Sequence, residues 1–273
     1  MRCAVIQMNS GQDVDQNLEQ AQELILNAQA QQAELILLPE MFACLGVNNQ
    51  FELAKNRFIK ADVIGSLSKW AVQAGCYLIA GSVPLVALES DQSEKVYAAC
   101  LVFSPAGDLI AQYNKIHLFD VDVADTKGRY QESDTFLAGD KPQVVDIDGH
   151  KVGLSICYDL RFPELYQEYQ LSGCEILTVP SAFTYETGRQ HWEILLRARA
   201  IETQCFVLAA NQAGEHEDGR RTWGQSLIIA PNGEVLAQGD NESQQVIVAD
   251  LDFNVLEQCR KRMPIAQHKT PSV

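Results

Sequence analysis

Cys157 lies in the segment KVGLSICYDLRFPELY, Lys151–Tyr166, where an apolar run gives way to charged residues. A thiol attacks only as thiolate, so it needs a base and a donor for the oxyanion that builds on the substrate. Two other residues suit those tasks. Glu40, in LILLPEMF, follows the apolar run Leu35–Leu38 and stands beside Pro39. Lys115, in YNKIHLF, lies at the entry to a long polar stretch. Each is expected at or just past the end of a buried strand. If those strands are neighbours, their ends meet in one crevice, where ligands collect in α/β sheets. Glu40 would then act as general base, Lys115 would hold the oxyanion, and Cys157 would form a covalent acyl intermediate. No histidine is needed. The plainer readings are a buried core cysteine and a helix-start or turn acid at Glu40. Asp159 and Arg161, straight after Cys157, speak against a plain core site.

The elements must hold these residues in place. Val152–Ile156 has the length and β-branched character of a buried strand, and Glu164–Leu171 reads as a helix with Pro163 in its first turn. Cys157 therefore marks a strand-to-helix turn, where free N–H groups and the helix dipole favour negative charge and hence a thiolate. Earlier, Arg2–Met8 is a strand. Asp13 or Asp15 caps a helix through about Gln32, with Leu18, Ala21, Leu24, Ile25 and Ala28 on one face. Phe51–Gly75 contains a helix, best defined over Val63–Ala74. Tyr77–Ala80 and Val96–Phe103 are strands, and Leu109–Tyr113 pairs back as a hairpin. The polar stretch Asp120–Pro142, with Glu132 inside it, has no clear period, as functional loops often do not. Val144–Ile147, Glu175–Val179 and Cys205–Ala210 are strands. Thr187–Gln204 is a helix in which Glu193 and Arg197 can pair. Gly214–Thr222 is a charged loop. A hairpin, a last strand at Gln245–Asp250 and a short helix at Asn254–Arg262 close the chain. The order strand–helix–strand–helix–strand occurs twice, without a sequence repeat, and gives an α/β protein of layered sheets and helices.

Composition narrows the function classes. The net charge of −15 argues against nucleic acid and against an anionic membrane surface. No apolar stretch approaches a membrane span, and the apolar run in MRCAVIQMNSGQ is too short for a signal peptide. The 273 residues, 47% hydrophobic, show no linker, so one domain over 1–273 is expected. The eight cysteines form no C-x-x-C and no zinc spacing with histidine, and read as reduced thiols of a cytoplasmic protein with no metal and no cofactor. No G-x-G-x-x-G follows a strand, which disfavours a dinucleotide site.

LILLPEMF, YNKIHLF and GLSICYDLRFPELY, in that order, resemble motifs of the nitrilase superfamily of carbon–nitrogen hydrolases. The resemblance implies a four-layer αββα sandwich. It implies Glu40 as base, Lys115 as oxyanion stabiliser and Cys157 as nucleophile, with a second glutamate at Glu132 in YQES. It also implies a homodimer, matching the helices after Cys157 and around Trp192–Gln204 to the pairing surface. KIHLFDVDV and SAFTYETGRQHWEILLRARAIETQCFVLAANQAG are similar to the amidase branch, the second segment most of all to deaminated glutathione amidases. The expected substrate is then a 2-oxoglutaryl amide, cleaved to 2-oxoglutarate and cysteinylglycine. The alternative is an omega-amidase acting on 2-oxoglutaramate or 2-oxosuccinamate.

Substrate contacts are expected at Arg161 and Thr187, which would grip a carboxylate, and at the backbone N–H of Tyr158, which would complete the oxyanion hole. Arg161 could instead hold the fold through Glu164 or Asp159, and Thr187 could be a helix N-cap. Two rivals remain. A Cys–His hydrolase would draw its base from His117, His150 or His191. A non-catalytic binding protein would need a defective triad, and Glu40, Lys115 and Cys157 are intact.

Overall fold

The computed structural model describes residues 1–47, 49–58, 62–86, 94–123 and 128–270. Side-chain alternation builds its first sheet. Along Arg2–Gln7, Cys3 and Val5 join one core while Ala4 and Ile6 join another; Leu35 and Leu37 oppose Ile36 in the same way. Strands apolar on both faces must be covered on both. Arg2–Gln7, Leu35–Leu37 and the longer strand Tyr77–Val86 run parallel, joined by helices Val14–Ala30 and Asp62–Ala74. Gln245–Asp250 flanks them on one side, and Val96–Phe103 then Leu109–Asn114 on the other, all antiparallel.

The second sheet repeats this plan. His150–Leu154, Ile176–Thr178 and Phe206–Ala209 run parallel, joined by helices Pro163–Leu171 and Tyr185–Thr203. Gln143–Ile147, Leu227–Ile229 and Val235–Gln238 extend it with antiparallel pairing.

One core contains Val5, Leu37 and Val102 of the first sheet, Leu154 and Leu177 of the second, and Tyr166, Trp192 and Leu196 of the second pair of helices. The other lies between the first sheet and its helices, with Ile6, Ile36, Leu78, Leu18, Ile25 and Leu67. The layers are therefore helix, sheet, sheet, helix, the expected αββα sandwich. Asp13 caps the first helix, accepting from the backbone of Asp15 and Gln16.

Four expectations change. Lys115 does not end a buried strand, because Leu109–Asn114 is an exposed sheet edge with only Tyr113 buried. The three strands are not neighbours: two other strands separate Leu35–Leu37 from Leu109–Asn114, and the strand before Cys157 belongs to the facing sheet. The polar stretch holds local structure, since Asp120–Asp122 pairs with Arg129–Gln131 and a single 3₁₀ turn spans Glu132–Asp134. Residues 124–127 of it lie outside the described residues. Gly214–Thr222 is also more than a loop, because Ala213–Glu215 pairs with Arg221–Trp223.

Candidate active site

Glu40 lies three residues beyond Leu35–Leu37, in a turn held against the next strand. Leu38 donates its N–H to Ile79, and Met41 donates its own to the Ser82 hydroxyl. A Cβ on Gly81 would overlap the carbonyl oxygens of Leu38 and Pro39, so the turn rests directly on bare backbone. Lys115 is fixed similarly. It donates its N–H to Ala98, accepts from Gly139, and Gly139 has no room for a Cβ beside the Asn114 carbonyl.

Cys157 opens a 3₁₀ turn, Cys157–Arg161, with φ of +49°, a left-handed conformation unusual for a side-chain-bearing residue. Asp159 makes that conformation tenable. It is fully buried, accepts from the Ile156 N–H at 2.9 Å and from the Tyr113 hydroxyl at 2.7 Å, and bonds both the backbone and the ring of His117. One carboxylate thus ties the turn of Cys157 to the segment of Lys115 across the two sheets.

These supports converge on one cluster. Lys115, 1% exposed, donates to Glu40 at 2.8 Å and to Glu132 at 2.9 Å. The second oxygen of Glu40 accepts the Ala182 N–H at 2.8 Å, and Glu132 accepts the Phe119 N–H at 2.7 Å. Buried charges persist only with such partners. Burial alone would discharge Lys115, but Glu132 and Glu40 outweigh it and hold its pKa well above the ordinary value. Burial raises Glu132 despite Lys115, with Glu40 adding to the rise.

The Cys157 thiol shares the buried site with Glu40, and burial, then the Glu40 carboxylate, push its pKa well up. This corrects the thiolate expected from the helix end. The turn at Cys157 is 3₁₀, the α-helix begins only at Pro163, and the desolvated site with its carboxylate keeps the resting sulfur protonated.

A cleft of about 220 Å³ opens above the cluster, and Tyr158, Arg161 and Thr187 line it with Glu40, Lys115, Glu132 and Cys157. All seven expected site residues therefore share one cavity. Arg161 does not hold the fold through Glu164 or Asp159: Asp159 is committed elsewhere, and no carboxylate pairs with Arg161 among the described residues. Its guanidinium lies 5.3 Å from the Phe183 ring and 5.9 Å from Tyr158, with Nη1 at 3.2 Å from His191. Thr187 is not the N-cap. The helix starts at Tyr185 after Thr184, so Thr187 sits in its first turn, bonded to the Thr184 hydroxyl at 2.8 Å.

The histidine rival loses its bases. His117 bonds Asp159, His150 bonds Glu175, His191 faces Arg161, and none of them lines the cleft. No group of three His, Cys, Asp or Glu among the described residues could hold a metal ion, and no helix among them is long and apolar enough to cross a membrane.

The cleft also contains residues that sequence reasoning passed over. Ala182 lies past the end of the strand Ile176–Thr178, the same kind of position that singled out Glu40, and that analogy would have found it. Asp218 and Arg220 come from the hairpin read only as a charged loop, and Tyr130 from the polar stretch. Their signal, charge beside aromatic residues in unpatterned segments, was too general to place them.

A family model described as carbon-nitrogen hydrolase matches residues 2–261. A protein named deaminated glutathione amidase from Synechocystis is 41% identical over 97% of this chain and 97% of its own length. Omega-amidase NIT2 from Xenopus tropicalis is 39% identical over 98% of this chain and 94% of its own length. The C. elegans NitFhit crystal structure superposes with a TM-score of 0.89 at 34% identity, covering 98% of this chain; the chain spans 64% of that longer protein. With three motifs in order, an αββα sandwich and a buried Glu–Lys–Cys cluster under one cleft, this chain belongs to the carbon-nitrogen hydrolase family.

Proposed function

We propose that the protein is an amidase that cleaves the amide bond of deaminated glutathione to 2-oxoglutarate and cysteinylglycine. The observation that carries this reading is the cluster itself. A neutral thiol in one cleft with a carboxylate, and a lysine on that carboxylate, is poised for acyl transfer. Glu40 takes the thiol proton as sulfur attacks the carbonyl carbon. Lys115 and the Tyr158 N–H hold the oxyanion. Glu40 returns the proton to the departing nitrogen, the C–N bond breaks, and a thioester remains. Water, deprotonated by Glu40, then attacks the thioester; the tetrahedral intermediate expels the Cys157 sulfur, which recovers its proton from Glu40. Glu132 keeps Lys115 charged and directed. Arg161, free of carboxylates among the described residues and sharing the cleft with Thr187, grips the 2-oxo acid carboxylate, as its fork of donors suits. No step calls for a cofactor.

The names of the two relatives divide between this substrate and the omega-amides, so specificity constants for deaminated glutathione and 2-oxoglutaramate on the purified enzyme decide. A clear preference for 2-oxoglutaramate sinks the first reading and promotes the second, an omega-amidase on 2-oxoglutaramate or 2-oxosuccinamate.

We also read the chain as a one-domain homodimer of the cytoplasm. Leu171, Ile194 and Ile201, on the two outer helices, are 70%, 69% and 48% exposed, an apolar set that a second copy would cover. A monomer in sedimentation at micromolar concentration would contradict that. The eight free cysteines suit a reducing compartment, and a disulfide trapped by alkylation during lysis would argue otherwise.

A further inference from the structure

The cleft presents three cations to a ligand: Lys115, Arg161 and Arg220. Lys115 gives two of its three donors to Glu40 and Glu132, and its third is committed to the oxyanion. Arg161 serves the acyl side of the proposed substrate. Arg220 has no assigned task. It closes the turn of the Ala213–Glu215 and Arg221–Trp223 hairpin, which is anchored at its base. Asn9 donates to the Ala213 carbonyl at 2.5 Å, and His216 bonds the Ser10 carbonyl and the Thr222 hydroxyl. The turn is therefore a built wall of the cleft.

The side chain of Arg220 is only 14% exposed, and its one carboxylate contact among the described residues is Asp218 at 3.4 Å through Nη2 alone. Its Nε is buried with no hydrogen-bond partner among the described residues, and its guanidinium lies 5.6 Å from the Tyr130 ring on the opposite hairpin. A guanidinium offers five donors, and one long contact among the described residues leaves most of that capacity unused by them in a desolvated place. Arg220 and Arg161 share no contact: one touches Tyr130 and Asp218, the other Tyr158, Phe183 and His191.

We propose that Arg220 is a specificity-determining residue that binds the carboxylate at the far end of the leaving group. This rests on the deaminated glutathione reading. That substrate carries two carboxylates, one on each side of the scissile amide. An omega-amide has one, on the acyl side, and its leaving group is ammonia. A second cation, separate from the first and walled by its own hairpin, suits an amide whose amine part ends in an acid. Asp218 weakens the bare charge but fixes the fork, so binding depends on geometry as well as charge.

The test compares deaminated glutathione with the same molecule carrying a glycinamide in place of its terminal glycine. In the wild type the acid should be favoured roughly tenfold in kcat/KM, mostly through KM, the scale of one charge-assisted contact. Arg220→Gln should bring that ratio toward one, and Arg220→Lys should restore part of it. A wild-type ratio near one, or a ratio unchanged in Arg220→Gln, overturns the proposal; an equal loss on both substrates does so too, because it marks Arg220 as merely holding Asp218. Turnover of 2-oxoglutaramate by the wild type judges the substrate reading separately. If turnover of the acid is slow, the same ratio is read as affinity in folded Cys157→Ala protein with and without Arg220→Gln.

Discussion

Arg2–Gln7, Leu35–Leu37 and Tyr77–Val86 on one side, and His150–Leu154, Ile176–Thr178 and Phe206–Ala209 on the other, are matching blocks of three parallel strands with two helices outside. Their strands end in different chemistry. The first block leads into charge: Glu40 lies past its middle strand, and its antiparallel extension delivers Lys115. The second leads into an uncharged thiol and a backbone donor, Cys157 past its first strand and Ala182 past its middle one. Neither block holds a complete site. Glu40 has Lys115 on one oxygen from its own sheet and Ala182 on the other from the facing sheet. The division delivers Glu40 and Lys115 from the same sheet, so their pairing does not depend on the register of the two sheets. The neutral thiol and the Ala182 N–H are the groups of the second block registered against them across the gap.

The division can be broken from either side, and the largest effect should come from the second block. Cys157→Ser removes the acidic atom while keeping size and fold, and turnover should vanish; full activity in a folded variant would end the covalent mechanism. Glu40→Gln keeps the turn but removes the proposed base. It should cost at least about 10²-fold in kcat and slow thiol alkylation at neutral pH, since the buried thiol does not ionise alone. Alkylation at the wild-type rate would move the base elsewhere, with Glu132 next in line.

Lys115→Ala sharpens the contrast by asking whether the charged block is structural as well. It leaves two buried carboxylates without their cation. Unfolding free energy should fall by roughly 3–5 kcal/mol in denaturant titration, beside an activity loss of about 10²-fold or more. An unchanged midpoint with lost activity would mean that the cluster contributes chemistry alone.

The smallest effect concerns the hairpin that spans the strand ends of both blocks. Burial lowers the pKa of His216, whose ring donates to the Ser10 carbonyl and accepts from the Thr222 hydroxyl. A histidine depressed in the folded state takes up protons first when unfolded. Its stabilisation is present above its unfolded pKa of about 6.5 and is lost as pH falls through the folded value. The melting temperature should therefore drop more between about pH 7.5 and 5.5 in the wild type than in His216→Gln. Equal drops would remove His216 as the cause.

Much of the fold and site is legible in the sequence because burial leaves period and type there. Apolar alternation marks Arg2–Met8 and Leu35–Leu38, the 3.6 period marks the helix capped by Asp13, and a charge at the end of an apolar run marks Glu40. Whatever long-range pairing decides stays hidden. The strand Leu109–Asn114 looks buried because its neighbours in sequence do, yet it lies at an edge. The sheet to which each strand belongs is set by contacts between distant segments, which no local pattern records. The segments around Glu132 and Arg220 fold as short hairpins stabilised by distant partners, so they carry almost no period of their own. The protonation of Cys157 is misjudged from sequence for a related reason. Local helix geometry is written in the sequence, whereas the Glu40 carboxylate beside the sulfur comes from the facing sheet.

Gly81 and Gly139 give the site an unusual genetic signature. Neither has a side chain, and neither lines the cleft. Each nevertheless lies against backbone carbonyls beside a charged member of the cluster, Pro39 next to Glu40 and Asn114 next to Lys115. In a saturation screen scored only for activity, every substitution at these two positions would read as inactivating, and both would rank with Cys157. A parallel screen for abundance would separate them, since a backbone displaced at the cluster would show in protein level where Cys157→Ser would not.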